Sequence, residues 1–455
     1  MTSGLRSQRA LAIALGLAAT GCAKYERLPL DTSADLVSRS DNLVGGVGGR
    51  VSLRMLDQLV VANNPDLRAA RAQLGAADAQ VLIAGILPNP QLQAAYPFLI
   101  SGPGTVDSYS AGFVQDLKSI LIYRTKGEVA SAAKQNVSAT LLWQEWQTIG
   151  KARLLYVDIV SGDRLLTFIA KTRKLFKERF DLTSKAITEG NATVATLSPD
   201  LVAVGDIQKT YDDLSRLQLS RRHQLAALLG LTPDAPFALS PTIGMPRIDV
   251  ARIRAELGSI ADRRPDLIAL QFGYRSEDAK LRQAILSQFP AISVGLFAGQ
   301  DTSGILAIGP QINTELPIFD RNQGGVALET ATREQLRREF TARVTAATEE
   351  VEALLSEQAL VGRQLMDLEP RLRQARAIAE RTEIAFRQGI FDERAYVDIE
   401  SARLAREQER ITLLQAQLEG QVALATLVGA GFPFVTLSPE EPPADPLGLF
   451  HEVAR

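Results

Sequence analysis

Cysteine occurs once in this chain, at Cys22, and histidine twice, at His223 and His451. That scarcity puts a Cys/His zinc centre out of reach. Four methionines form no metal-binding tract. There is no Gly-x-Ser-x-Gly and no phosphate loop ending in Gly-Lys-Ser/Thr, and no other catalytic constellation, so the reading is of a protein that is not an enzyme and needs no cofactor. "GGVGGR" (Gly45 to Arg50) is Gly-rich but follows no strand-like run and reads as a flexible spacer. Charge of one sign is also lacking. The net charge of −2 offers no basic field to nucleic acid. Aromatics make up only 6%, while Ala, Leu, Arg, Glu and Gln dominate, the composition of long helices.

The first residues read as an address. Arg6 and Arg9 precede an apolar run from Ala10 to Ala19, followed by "TGC". A charged start, about ten apolar residues and small residues before a cut site make a secretory signal, too short to span a bilayer. The "ATGC" ending at Cys22 resembles the lipobox of bacterial lipoproteins, which implies a signal over 1–21 and lipid attachment at Cys22. Neither Ala23 nor Lys24 is the Asp that commonly retains such lipoproteins at the inner membrane, so the expected destination is the outer one.

The chain is written twice. "NPDL" at Asn64 recurs as "RPDL" at Arg264, an offset of 264 − 64 = 200. Pro90 matches Pro290 at the same offset, and Gly190 and Gly230 match Gly389 and Gly429 at 199. Register kept over so long a stretch indicates duplication. The boundaries read as an extended linker over 22–50, a first repeat over 51–232, a Pro-rich connector over 233–256, a second repeat over 257–432 and a Pro-rich tail over 433–455. Each repeat opens with a helical segment. Two strand-like runs follow: "QLQAAYPFL" and "SYSAGFVQDL" in the first, "AISVGLFAG" and "ILAIGPQINTEL" in the second. Alternation over about 9–11 residues is the length that crosses a membrane in a tilted barrel. Two long helices folded back at Gly190 or Gly389 complete the repeat, and Pro370 is expected to kink its helix. Trp143 and Trp146 read as helix-packing residues; Tyr96 and Phe98 could equally join an interfacial belt.

Four strands cannot close a barrel, and lipid forbids an open edge. Several chains must therefore share one barrel, and three would give twelve strands. The order of elements, the duplication, "RPDL" and "LPIFDRNQGGVALETA" resemble the TolC-type outer-membrane efflux family, and the lipobox its lipoprotein CzcC/NodT-like branch. The first copy departs from the family at "DLKSILIYRTKG". The resemblance implies a mainly α fold: a homotrimer with a 12-stranded outer-membrane β-barrel continued by a long periplasmic α-helical barrel. It implies an exit duct fed by a periplasmic adaptor and an inner-membrane pump of the RND type. It also implies a periplasmic entrance at the helix turns, narrowed by a ring of Asp. Nine residues beyond Gly389 lies Asp398, which matches a ring position; the same count from Gly190 gives Pro199, with Asp200 one step off. Asp392, Glu393 and Arg394 lie nearer the turn, and the family's Arg-to-Asp lock does not carry over, because its basic position falls on Phe391. The rival readings are a duct for type I protein secretion and a lipid-anchored periplasmic coiled-coil scaffold. The scaffold leaves the paired strand runs unexplained.

Overall fold

A computed structural model describes residues 25–46, 49–245 and 249–429. Cys22 with the apolar run before it, positions 47–48 of the Gly-rich spacer, and the tail over 433–455 lie outside the described residues. Residues 25–36 form a unit with neither helix nor strand, in which Asp31 accepts bonds from the Ser33 amide and hydroxyl at 2.9 and 2.7 Å.

The remaining chain, from Val37 on, is one compact unit. Strand β1 (Arg50–Val51) leads to α1 (Leu53–Asn63) and α2 (Pro65–Ala84). Strands β2 (Gln91–Ala95) and β3 (Tyr109–Asp116) precede the short α3 (Leu117–Leu121), the long α4 (Tyr123–Thr188) and its return, α5 (Val194–Leu228). Strand β4 (Ala238–Leu239) and α6 (Val250–Glu256) open the second half. It repeats the order with α7 (Pro265–Leu286), β5 (Ile292–Gln300), β6 (Leu306–Thr314), α8 (Gln323–Arg387) and α9 (Glu393–Val428). Helix α4 has 66 residues, roughly 100 Å at 1.5 Å per residue.

The duplication persists in the packing. The first core gathers Ala152, Tyr156, Leu225 and Leu229; the second gathers Val351, Leu355, Leu424 and Val428, each 199 residues on (351 − 152 = 199, 428 − 229 = 199). The helix turns are also copies. Gly190 (φ 76°) and Gly389 (φ 72°) occupy the left-handed region, and the amides after them, Asn191 and Ile390, reach back to the carbonyls of Ala186 and Ala385 at 2.8 and 3.0 Å. This is a Schellman turn that an L side chain would strain. The Pro-rich connector is pinned at β4, which runs parallel to β1, and ends in α6, and Tyr156 donates to the Ser240 carbonyl at 2.8 Å.

A glycine notch and a glutamine key hold each long helix to its return. A Cβ on Gly162 of α4 would overlap Gln218 of α5, whose amide donates to the Ile159 carbonyl at 3.2 Å. In the second copy the roles cross over: Gly420 of α9 is the notch, and Gln358 of α8 donates to the Ala416 carbonyl at 3.3 Å. Helix α8 runs through Pro370 as a single element, tied beside it by Glu369 to Arg410 at 2.7 Å.

The strand-to-helix turns differ between copies, where the sequences differ. In "FDRNQGG" Asn322 takes a left-handed φ of 57°, its amide held by Asp320 at 2.8 Å and its side chain donating to the Ala284 carbonyl at 2.8 Å. The first copy instead inserts α3, capped by Asp116, which accepts from the Lys118 amide at 2.9 Å. Strand β2 has five residues rather than the expected nine or more, because its ladder ends before Pro97, which has no amide hydrogen to give.

Candidate functional site

The four long strands form one antiparallel sheet in the order β2-β3-β5-β6, the two hairpins meeting through β3 and β5. Alternation sorts their residues onto two faces. One face carries Leu92, Phe113, Leu296, Ile308 and Ile312, strongly exposed for large apolar residues: Phe113 at 62% and Ile308 at 72%. The opposite face carries Gln93, Ser110, Ser293, Gln311 and Asn313 with Gly112, Gly295, Gly299 and Gly309. A Cβ on Gly295 would stand 2.1 Å from the Phe113 carbonyl oxygen, one on Gly112 2.8 Å from that of Leu296, and one on Gly299 2.8 Å from that of Tyr109. Glycines so crowded on one side mean that the sheet curls toward it. An apolar convex face and a polar concave face are what a wall between lipid and water requires. Among the described residues both outer edges, β2 and β6, are unpaired, and Pro310 sits on the β6 edge. No helix among the described residues is long and apolar enough to cross a membrane.

At the other end of the long helices lie the turns of Gly190 and Gly389, with a cleft of about 540 Å³ between them lined by Arg179, Thr183, Asn191, Thr196, Asp392 and Val397. Helix α4 brings Arg179 into this cleft, and α5 and α9 bring Asp200 and Asp398 to its guanidinium. The Asp200 side chain is wholly buried, 2.7 Å from Arg179 Nε and accepting from the Thr183 hydroxyl at 2.6 Å. Asp398, its side chain 57% exposed, pairs with the other end of the same guanidinium. So Asp398 and Asp200 are brought together, through one arginine of their own chain. Asp392 caps α9, accepting from the Ala395 amide at 3.2 Å. The Glu393 side chain lies outside the described positions. Tyr396 stacks on Phe386 at 4.9 Å across the second turn, and burial raises its phenol above the usual range.

Sequence reading missed Arg179. One signal was available. Its equivalent 199 residues on is Ile378, just as the equivalent of Asp398 is Pro199, so the two copies carry complementary halves of one pair. The "RPDL" motif is structural. Arg264, fully buried, bonds Asp266 at 2.9 and 2.7 Å and lies 4.9 Å from the ring of Trp143. Trp146 is buried in helix packing, at the spot a Cβ on Gly429 would occupy. Tyr96 and Phe98 meet edge to face at 5.3 Å beyond the end of β2 and are exposed. Among the described residues no cluster of His, Cys, Asp and Glu has the geometry of a metal site.

Residues 257–430 match the family model described as "Outer membrane efflux protein". "Cation efflux system protein CusC" of Escherichia coli is 23% identical over 93% of this chain and 98% of its own length. "Probable outer membrane lipoprotein SilC" of Salmonella typhimurium is 22% identical over 81% of this chain and 84% of its own. The fold is also that of the MtrE outer membrane channel of Neisseria gonorrhoeae, solved in its open state, with a TM-score of 0.67 at 15% identity over 91% of this chain and 99% of that one.

Proposed function

We propose, from the match of residues 257–430 to the outer membrane efflux protein family, that the chain is the outer-membrane exit duct of a tripartite efflux system. It passes small molecules or metal ions delivered by an inner-membrane pump through a periplasmic adaptor. The observation that carries this reading is the two-faced, curled, four-stranded sheet joined to helices of roughly 100 Å. The sheet is a segment of membrane wall, and the helices are long enough to extend a conduit well into the periplasm. Relatives named for channel and efflux roles support the same reading, and support no enzymatic one. A coiled-coil scaffold would have no use for an apolar sheet face.

In this duct the turn end is the entrance, and Asp398 with Asp392 and Glu393 are its candidate selectivity residues. Arg179 holds Asp398 and Asp200 together and so couples α9 to α4 and α5 at that end. The reading is tested by reconstituting the purified full chain in a planar bilayer. Discrete conductance steps are expected; a protein that binds the bilayer without conducting overturns the duct and favours the scaffold.

A further inference from the structure

The concave face of the sheet is small and polar except at one place. Phe297 is its sole aromatic, on β5 between Gly295 and Gly299, opposite Gly112 on β3 and Gly309 on β6. The ring is not buried. Phe297 is 38% exposed, and an open cleft of about 570 Å³ lies over Gln93, Gly112, Phe297 and Gln311. Nor is it a lid over Gly309, where a Cβ would meet nothing within 4 Å. The other apolar residue on this face with a branched side chain, Val114, is buried and projects into no open space. A bulky ring, set against Gly112 yet 38% exposed on a wall otherwise cleared by glycine, narrows whatever that wall encloses.

We propose that Phe297 is the width-limiting residue of the barrel lumen, a ring of aromatic side chains that filters cargo by cross-section on its way out. The proposal rests on the duct reading and on three chains sharing one barrel. Twelve strands about 4.8 Å apart and tilted by about 40° enclose a backbone diameter of roughly 24 Å. At the level of Phe297 three rings intrude on that space. One row away on either side the same strand offers only Gly295 and Gly299. Phe297 lies three residues from the loop end of β5 and five from the helix end (300 − 297 = 3, 297 − 292 = 5), so the filter stands nearer the outer mouth, well separated from the entrance at the helix turns.

The test reads access rather than current, so that the entrance cannot mask the result. Ser293 lies on the same concave face, on the helix side of Phe297. Ser293→Cys is introduced with Phe297, Phe297→Ala or Phe297→Trp, and intact cells are treated with a small charged methanethiosulfonate or with a maleimide carrying a long polyethylene glycol chain. The chain without an added cysteine is the blank for Cys22. Labelling by the small reagent is expected in all three backgrounds, which also shows that each variant is folded and inserted. The bulky reagent is expected to label Ser293→Cys several-fold faster with Phe297→Ala than with Phe297, and slowest with Phe297→Trp. Equal rates in all three overturn the proposal. Phe297→Cys and Phe113→Cys check the faces: the first is expected to react from water and the second to be shielded by lipid, and the reverse pattern overturns it too. Native mass spectrometry of the same variants reports the trimer independently, so a failed filter and a failed barrel give different results.

Discussion

Arg179 is where a single side chain carries the most at the turn end. Asp200 is buried against it, and only Thr183 would remain to that carboxylate if the guanidinium were removed. An ion stranded in this way costs far more than a solvated pair gains. Arg179→Ala is therefore expected to destabilise the protein by about 3 kcal/mol in denaturant unfolding of the detergent-solubilised chain. Asp398→Ala removes the exposed partner of the same arginine and should change stability by no more than about 0.5 kcal/mol. If Asp398 lines the entrance, that nearly silent substitution weakens cation selectivity and block by a trivalent cation in single-channel recordings. Unchanged reversal potential and block would make it a tether for Arg179 and nothing more. Asp398 could be marked in the sequence by counting from Gly389, because a turn glycine fixes a position. Arg179 could not be reached by counting, since its partners lie 21 and 219 residues away (200 − 179 = 21, 398 − 179 = 219) and no periodicity links them.

Between elements, the joint of α4, α5 and α9 holds a half-buried pair of carboxylates, Asp158 and Glu419. Gln415 of α9 donates to Asp158 of α4 at 2.9 Å and to Glu419 at 2.7 Å, while Arg221 of α5 lies 3.3 Å from Asp158. Burial first, and then the shared hydrogen bond and charge of Asp158, push Glu419 up to about 7. The folded protein thus holds a proton there that the unfolded chain, at the ordinary value of 4.5, releases. Stability contributed by this site is present below about pH 4.5 and is lost as pH rises toward about 7, the folded state binding more protons across that window. Glu419→Gln is expected to flatten this part of the stability–pH curve and to leave the variant more stable than the parent above pH 7; parallel curves for the two would refute the assignment. The helices themselves were legible, because their ends are written in glycine, proline and capping residues. What joins them was less so. The Gly162–Gln218 and Gly420–Gln358 keys cross over between copies, so aligning the copies hides them. Strand β2 was overestimated because alternation continues through Tyr96 and Phe98, beyond the point where Pro97 ends the hydrogen-bond ladder.

At the scale of the whole molecule the open edges decide the assembly. The sheet ends in β2 on one side and in the nine-residue β6 on the other. In lipid each unpaired amide or carbonyl on those edges costs several kcal/mol, so β6 of one copy must find β2 of the next. Two chains would give eight strands, a barrel filled by its own side chains; three give twelve and leave a duct. Lipidation at Cys22 would add an anchor to this assembly without being needed for closure. Mass spectrometry is expected to find the mature chain starting at an acylated Cys22, and Cys22→Ser to impair targeting more than retention of the inserted barrel. The detergent-solubilised protein itself is expected to run as a single species of three chains in native mass spectrometry. Proline in place of Ile308 removes an amide hydrogen on β6, two residues before Pro310 and in register with Ala298 of β5. It is expected to weaken the trimer band on heating while leaving the helical signal of α4 and α8 in circular dichroism almost unchanged, because the strands and the long helices sit at separate levels of the chain. A stable, folded monomer of the parent protein would remove the closed barrel, and with it the only arrangement in which this sheet can stand in a membrane.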